Sequence, residues 1–364
     1  MIPKIIHMKN IAIIIFDITK RAGTQRAICN LANLLTESKK YSISIISIHS
    51  VTGEAAYNID NGIFLYHLNL SKYKNKISRL KLYRILIKKI KQICYEEKID
   101  IIIGTTHAIN SILFFLGKKV KTIACEHLNY MSTPPSSRII RRVTYPSLDA
   151  VVVLTLSDAQ HYSFHKNVKV IPNSLSFLPE KQSELKNKVI LAVGRLTYQK
   201  GFDLLIEAVS LIRNECTKEG WNIKIIGSGE DEAKLIDKIK SLQLDNLIKI
   251  CQPTTKILEE YLQASIYVMS SRNEGLPMVL IEAQSCGLPI VSFDCPEGPA
   301  EIVHHNEDGL LVENGNIDKL SKALLELMYN QEKRIQFGEK AIQSSGKYKP
   351  ENIFVLWDNL LSSL

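Results

Sequence analysis

Short continuous runs of isoleucine and valine, separated by stretches with helical periodicity, constrain this chain more than any other feature. They fall at 11–16, 43–48, 63–66, 99–103, 120–124, 150–154 and 168–171. After a polar stretch at 179–188 a second series follows at 189–194, 222–227, 247–251, 266–270, 289–293 and 310–312. Runs that are apolar on both faces, rather than alternating, are the mark of parallel strands covered by helices. Helical patterns such as Gln25–Leu35, Asp203–Arg213, Asp231–Leu242, Lys256–Leu262 and Ile317–Tyr329 intervene. Two such series joined near residue 176 predict an α/β protein of two doubly wound, Rossmann-like domains. Ligands of these sheets lie beyond the carboxyl ends of the strands, so a cleft between facing domains is the expected site.

The length of 364 residues suits two domains better than one core. No stretch reaches the roughly 18–20 apolar residues of a membrane-spanning helix. The run Ile11–Phe16 is closed by Asp17 without a small-residue cleavage site and reads as a first strand, not a signal peptide. Seven dispersed cysteines without a CxxC pair argue against a disulfide framework or zinc site and for a cytoplasmic protein. Charge is uneven: residues 1–175 hold 25 Lys and Arg against 10 Asp and Glu, the remainder 21 against 27. Such asymmetry suggests that the first half faces a polyanion.

The segment Ser270-Ser-Arg-Asn-Glu-Gly-Leu-Pro-Met-Val-Leu-Ile-Glu282 follows a run ending at Met269 and precedes a helical pattern, Met278–Cys286. Gly275 permits a tight turn and Pro277 suits a helix start. The backbone amides over 276–279 (Leu276, Pro277, Met278, Val279) are then placed to receive a phosphate or sugar hydroxyls. Glu274 precedes the helix and Glu282 lies about one and a half turns inside it. Ionised carboxylates are strong acceptors for sugar hydroxyls and for a ribose diol. On spacing alone, a helix-capping acid and an ordinary surface acid fit as well.

Glu274-x7-Glu282 within Ser-Arg-x-Glu-Gly-Leu-Pro resembles the signature of the retaining GT-B glycosyltransferases of family 4 (glycosyltransferase group 1). Val193-Gly-Arg-Leu-Thr-Tyr-Gln-Lys-Gly201 looks like that family's Gly-Arg…Lys-Gly element, and Ile171-Pro-Asn-Ser174 like its hinge. Ile226-Gly-Ser-Gly-Glu230, Ala283–Val291 and Pro296-Glu-Gly-Pro-Ala-Glu-Ile302 match in the same order. The resemblance covers essentially the whole chain. It implies an N-terminal acceptor-binding domain over 1–175, a C-terminal nucleotide-sugar domain over 176–345, and a terminal helix over 346–364 that returns to the first domain.

Arg195 and Lys200 follow the run 189–194. A guanidinium forks onto phosphate oxygens and an ammonium adds a point charge, so the two can neutralise a leaving diphosphate without metal. The resemblance gives them that role. No Asp-x-Asp triplet is present, no cofactor is implied, and the nucleotide sugar, a UDP-sugar, enters as substrate. The loop at Cys251-Gln-Pro253 falls where the family holds its base through backbone groups, but lacks the usual glycine.

In the first half, Asp17–Arg26 resembles the family's glycine loop, with Ala22 and Gln25 in place of the usual glycine and acid. Thr24 is expected to cap the helix that follows. Gly23 is assigned to the donor phosphate, and Lys20 and Arg21 to the acceptor. Ala-Cys-Glu126-His127-Leu-Asn-Tyr resembles the place where related enzymes keep a histidine on the transferred sugar; His107 is expected only to line the cleft.

Residues 72–91 hold nine basic residues (Lys72, Lys74, Lys76, Arg79, Lys81, Arg84, Lys88, Lys89, Lys91) and no acid. Lys81, Arg84, Lys88 and Lys91 form a stripe beside Leu80, Tyr83, Leu86, Ile87, Ile90 and Ile93. That pattern suits a helix at an anionic membrane surface, and equally a core helix with a solvated edge. Arg138, Arg141 and Arg142 add a second cationic cluster. Nucleic acid is not expected, because no binding motif or aromatic platform accompanies the charge. The expectation is a cytoplasmic enzyme, peripheral on the inner face of the cell membrane. It transfers a hexose or N-acetylhexosamine, with UDP-N-acetylgalactosamine and UDP-galactose among the donors, to a lipid-linked (polyprenyl-diphosphate) or growing glycan. A UDP-sugar 2-epimerase of the same fold and a non-catalytic membrane-associated partner are the alternatives.

Overall fold

The computed structural model describes residues 8–73 and 78–364. Lys74 and Lys76 of the basic run lie outside the described residues, as do the side chains of Lys72 and Arg79. The chain divides into two compact units, one of residues up to Ser176 together with Pro350–Leu364, the other of Phe177–Lys349.

The first unit carries β1 (Lys9–Ile15), β2 (Tyr41–Ser47), β3 (Phe64–His67), β4 (Ile101–Gly104), β5 (Lys121–Cys125), β6 (Ala150–Val153) and β7 (Val168–Val170). They form one sheet in the order β3-β2-β1-β4-β5-β6-β7. The second unit carries β8 (Val189–Val193), β9 (Asn222–Ile226), β10 (Ile248–Cys251), β11 (Ile266–Met269), β12 (Ile290–Asp294) and β13 (Gly309–Glu313), in the order β10-β9-β8-β11-β12-β13. Pairing in the first sheet is parallel, and so is pairing in the second. Every strand expected from the apolar runs is present, displaced by at most two residues at an end.

Both faces of each sheet are covered, which is why these strands contain so few polar residues. In β1, Ile11, Ile13 and Ile15 enter one core and Ala12 and Ile14 the core on the opposite face. A 3₁₀ turn at Gly346–Tyr348 precedes the last helix, Pro350–Ser363, which begins at a proline whose missing N–H is no loss there. Ile353, Trp357, Leu360 and Leu361 of that helix join Ile28, Leu31 and Leu35 in the first unit's core.

The strand order fixes where ligands can go. In each sheet the order reverses at one point, between β1 and β4 and between β8 and β11. Loops leaving the carboxyl ends of those strands diverge to opposite faces and open a crevice. They are the loops after Ile15, Gly104, Val193 and Met269.

Candidate active site

At the second unit's switch point, the loop after β8 supplies Lys200 and the loop after β11 supplies Glu274. Lys200 Nζ donates to Glu274 Oε1 at 2.6 Å, and Ser271 Oγ donates to the same oxygen at 2.6 Å. The two side chains are 17% and 9% exposed, so the pair is shielded but reachable. Arg272 ties the loops together. Its guanidinium forks onto Asp203, Nη1 to Oδ1 at 2.8 Å and Nη2 to Oδ2 at 2.7 Å, and lies 3.8 Å from the Tyr198 ring centroid. Burial pushes the Asp203 carboxyl up, but the hydrogen bonds and charge of Arg272 outweigh it and hold the group below its ordinary range. Gly201, with φ +63°, lies where an added Cβ would come within 2.0 Å of the Ser270 carbonyl, so only glycine lets the loops close this tightly. Gly298, φ +94°, meets the Gly275 carbonyl in the same way, at 2.1 Å. The motifs at 194–201, 270–277 and 296–302 are therefore surfaces of one packed loop cluster.

Arg195 is exposed beside this cluster, and its guanidinium has no partner among the described residues. Helix Met278–Ser285 starts at Met278, with Pro277 as its cap residue and no side-chain cap. Pro277 has no N–H, which corrects the expectation of a run of amides at 276–279; Leu276, Met278 and Val279 supply them. Glu282 is 1% exposed and accepts from the Tyr261 hydroxyl at 3.0 Å, so it is not a surface acid. The Cys251 carbonyl accepts from the Gly227 N–H at 2.9 Å, and this bond ties the loop after β9 to the end of β10.

In the first unit, the loop after β1 is closed by Asp17, whose Oδ1 accepts from Thr19 N–H and Oγ1, and by Gln25 Nε2, which donates to the Asp17 carbonyl at 2.9 Å. Lys20, Arg21 and Gly23 are exposed. Thr24 does not cap the helix. Gly23–Glu37 begins two residues earlier than expected, with Ala22 at the cap position, which places Thr24 inside the first turn.

His127 follows β5 and is partly buried. Its Nε2 lies 3.6 Å from Cys125 Sγ, and its Nδ1 has no partner among the described residues. It lines a cavity of about 10 Å³ with Ala27, Leu31, Asn173 and Trp357. Burial lowers its pKa to about 4, so the ring is neutral near pH 7. Because the unfolded chain protonates at about 6.5 and the folded one only near 4, this histidine's contribution to stability is full above about pH 6.5 and is lost as pH falls through 4. His127→Gln should flatten the dependence of the unfolding midpoint on pH between about 4 and 6.5.

The chain beside His127 is anchored by a group that sequence reasoning placed wrongly. Arg141 is fully buried, not part of a surface cluster with Arg138 and Arg142. Its Nη2 lies 3.4 Å from Glu126 Oε2, its Nη1 donates to Thr133 Oγ1 at 3.2 Å, and the guanidinium lies 5.0 Å from the Tyr130 ring centroid. Glu126 also accepts from the Tyr145 hydroxyl and, at 2.9 Å, from Asn110 Nδ2. Burial pushes the Glu126 carboxyl up and Arg141, Tyr145 and Asn110 only partly pull it back. Arg138 is half-buried and caps the carbonyls of Thr133 and Met131.

A family model for glycosyl transferases group 1 matches residues 176–344, which contain the whole Lys200–Glu274 cluster. The amylovoran biosynthesis glycosyltransferase AmsD of Erwinia amylovora is 32% identical over 98% of this chain and 100% of its own. The chain belongs to the group 1 glycosyltransferases. A second relative of this glycosyltransferase, from Campylobacter jejuni, is 30% identical over 94% of this chain and 95% of its own. Its name is GalNAc-α-(1→4)-GalNAc-α-(1→3)-diNAcBac-PP-undecaprenol α-1,4-N-acetyl-D-galactosaminyltransferase. The crystal structure of Staphylococcus aureus TarM with fondaparinux, α-GlcNAc-glycerol and UDP superposes with a TM-score of 0.78 at 18% identity, covering 97% of this chain and 99% of that one. The fold is GT-B.

The basic helix of the glycosyltransferase spans Arg79–Glu96. Leu86, Ile90 and Ile93 are core residues, as a covered α/β helix requires, while Lys81, Arg84, Lys88 and Lys91 are exposed. Leu80 and Tyr83 point elsewhere and stay 63% and 41% exposed. With Ile87, Ile112, Phe115 and Ile140 they line a groove of about 970 Å³ within the first unit, and His107 sits in that groove. Among the described residues no helix is long and apolar enough to cross a membrane. Sequence reasoning missed Asp203, Tyr261 and the Glu126–Arg141 pair; Glu126 had one signal, its place beside His127.

Proposed function

We propose that the enzyme transfers a hexose or N-acetylhexosamine from a UDP-sugar, with retained anomeric configuration and without metal, to a lipid-linked (polyprenyl-diphosphate) or growing glycan. The observation that carries the reading is the Lys200–Glu274 pair at the switch point, with Arg195 exposed beside it. An ammonium and a guanidinium together offset the charge that develops on a departing diphosphate. The lipid-linked acceptor is supported by the name of the C. jejuni relative, a glycan-assembly role by that of AmsD, and UDP by the TarM complex.

In this reading Glu274 and the amides of Gly275, Leu276, Met278 and Val279 hold the sugar and phosphate, Glu282 the ribose, and Cys251 borders the base. His127 orients the hexose as a neutral ring, Gly23 approaches the donor phosphate, and Lys20 and Arg21 meet a phosphate of the acceptor. The bond from the anomeric carbon to the phosphate oxygen breaks as the acceptor oxygen attacks on the same face, and the departing β-phosphate takes the acceptor's proton. The exposed stripe of Lys81, Arg84, Lys88 and Lys91 holds the enzyme at the anionic inner face of the membrane.

A UDP-release screen over a panel of sugar nucleotides, with and without a polyprenyl-diphosphate-linked sugar, tests donor and acceptor together; acceptor-dependent release is expected. An inverted product by NMR would overturn retention. Arg195→Ala should raise the KM for the donor about ten- to a hundredfold, the loss of a charge-assisted phosphate contact. Unchanged KM and kcat would remove Arg195 from the site.

A further inference from the structure

Helix Pro135–Thr144 is built inside out. It buries Arg141 completely and leaves Ile139, Ile140 and Val143 exposed by 65%, 49% and 69%. A surface helix of a soluble protein turns its apolar stripe inward, and several large apolar side chains grouped in the open mark a binding surface. Across from Ile140, Leu80 and Tyr83 of the basic helix are exposed as well, and so is Phe115, at 53%. These side chains border one concavity of about 970 Å³, within the size range of ligand sites.

The groove's lining is mostly apolar, and His107, Ser111, Ser136, Ser137, Thr144 and Arg84 are the polar side chains in it; Lys81 and Lys88 are exposed on the same helix as Arg84. His107 opens the helix that follows β4, so it lies at the carboxyl edge of the sheet, at the first unit's switch point. A hydrocarbon trough lined in part by hydroxyls, an imidazole and a guanidinium is complementary to a chain carrying an anionic head.

We infer that this groove binds the hydrocarbon chain of a single isoprenoid phosphate or diphosphate, with the phosphate next to the chain toward His107 and Arg84 and the sugar-bearing phosphate left to Lys20 and Arg21. The inference rests on the lipid-linked acceptor proposed above and adds a site for its tail. A flat bilayer would meet the protruding Ile139 and Val143, but does not fill a concavity.

Calorimetric titration of the full chain with farnesyl phosphate, and separately with methyl phosphate, tests it. Farnesyl phosphate should bind at least about tenfold more tightly, with the negative heat-capacity change of apolar burial. The double variant Leu80→Glu/Ile140→Glu alters only exposed positions, so its fold is kept, and it should lose that preference. Val355→Glu, an exposed apolar position on the last helix, should keep it. No preference for farnesyl over methyl phosphate in the wild type would overturn the site. So would an unchanged affinity in the double variant, including the case where the variant loses only co-sedimentation with phosphatidylglycerol vesicles, which would assign the face to a bilayer. If farnesyl phosphate binds as expected but no lipid-linked sugar promotes UDP release, the groove stands and the proposed acceptor falls.

Discussion

Glu274→Gln should lower kcat for sugar transfer by about 10²-fold while leaving the unfolding midpoint near that of the wild type. The carboxylate accepts from both Lys200 and Ser271 at 2.6 Å. An uncharged amide of the same shape keeps the packing but loses the acceptor strength that holds the ammonium and, in the proposed role, aligns a sugar hydroxyl with it. Misplacing reacting groups by about 1 Å is enough for a loss of that size. Lys200→Met should cost about 10²–10³-fold, because the charge proposed to meet the leaving diphosphate goes with it. An ammonium has three donors, so Lys200 can stay on Glu274 and still reach a phosphate. The double variant should therefore be no worse than Lys200→Met alone, since each single change already disables the pair. A steady-state kinetic cycle against UDP-sugar checks this. Additive losses would separate the residues into independent roles, and a lowered midpoint with unchanged kcat would make the pair structural.

The strands were legible because a doubly wound sheet writes itself in the chain as unbroken β-branched runs; the strand order that sets the switch points was not. β1 alone contributes five residues that are at most 2% exposed. The cluster around Lys200 and Glu274 was legible in part. Glycines, an arginine and acids at fixed spacings follow from loops that must pack backbone to backbone, as Gly201 does on Ser270 and Gly298 on Gly275. Which side chains would pair across those loops was not written in either segment. Arg272 and Asp203 are far apart in sequence, and nothing local distinguishes a forked, stacked guanidinium from a solvated one. The same limit misplaced Arg141. Beside Arg138 and Arg142 it reads as one of three surface cations, and only the acid fifteen residues upstream reveals that it faces inward. Thr24 misled for a smaller reason: a threonine near a helix start is a good cap only if the chain is still extended there, and here that residue is Ala22.

The second large effect follows from that misplaced arginine. Arg141→Met should destabilise the first unit by about 3–5 kcal/mol, because it leaves Glu126 buried without its counter-charge. For a unit of this size the unfolding midpoint should then fall by roughly 10 °C. Glu126→Gln alone should also destabilise, since it strands the guanidinium between Tyr130 and Tyr162. The double variant Glu126→Gln/Arg141→Met removes both charges and keeps an amide oxygen to accept from Tyr145, so it should recover much of the loss. Activity should not recover in parallel. Glu126, the residue before His127, is tied to one helix through Asn110 and to another through Arg141. Without the ion pair the backbone at 126–127 is held by fewer bonds, and the ring loses the fixed orientation that its proposed role on the sugar requires. A double variant with a restored midpoint but a kcat still reduced about tenfold or more would establish the pair as positioning residues for His127. Full recovery of both would confine the pair to stability.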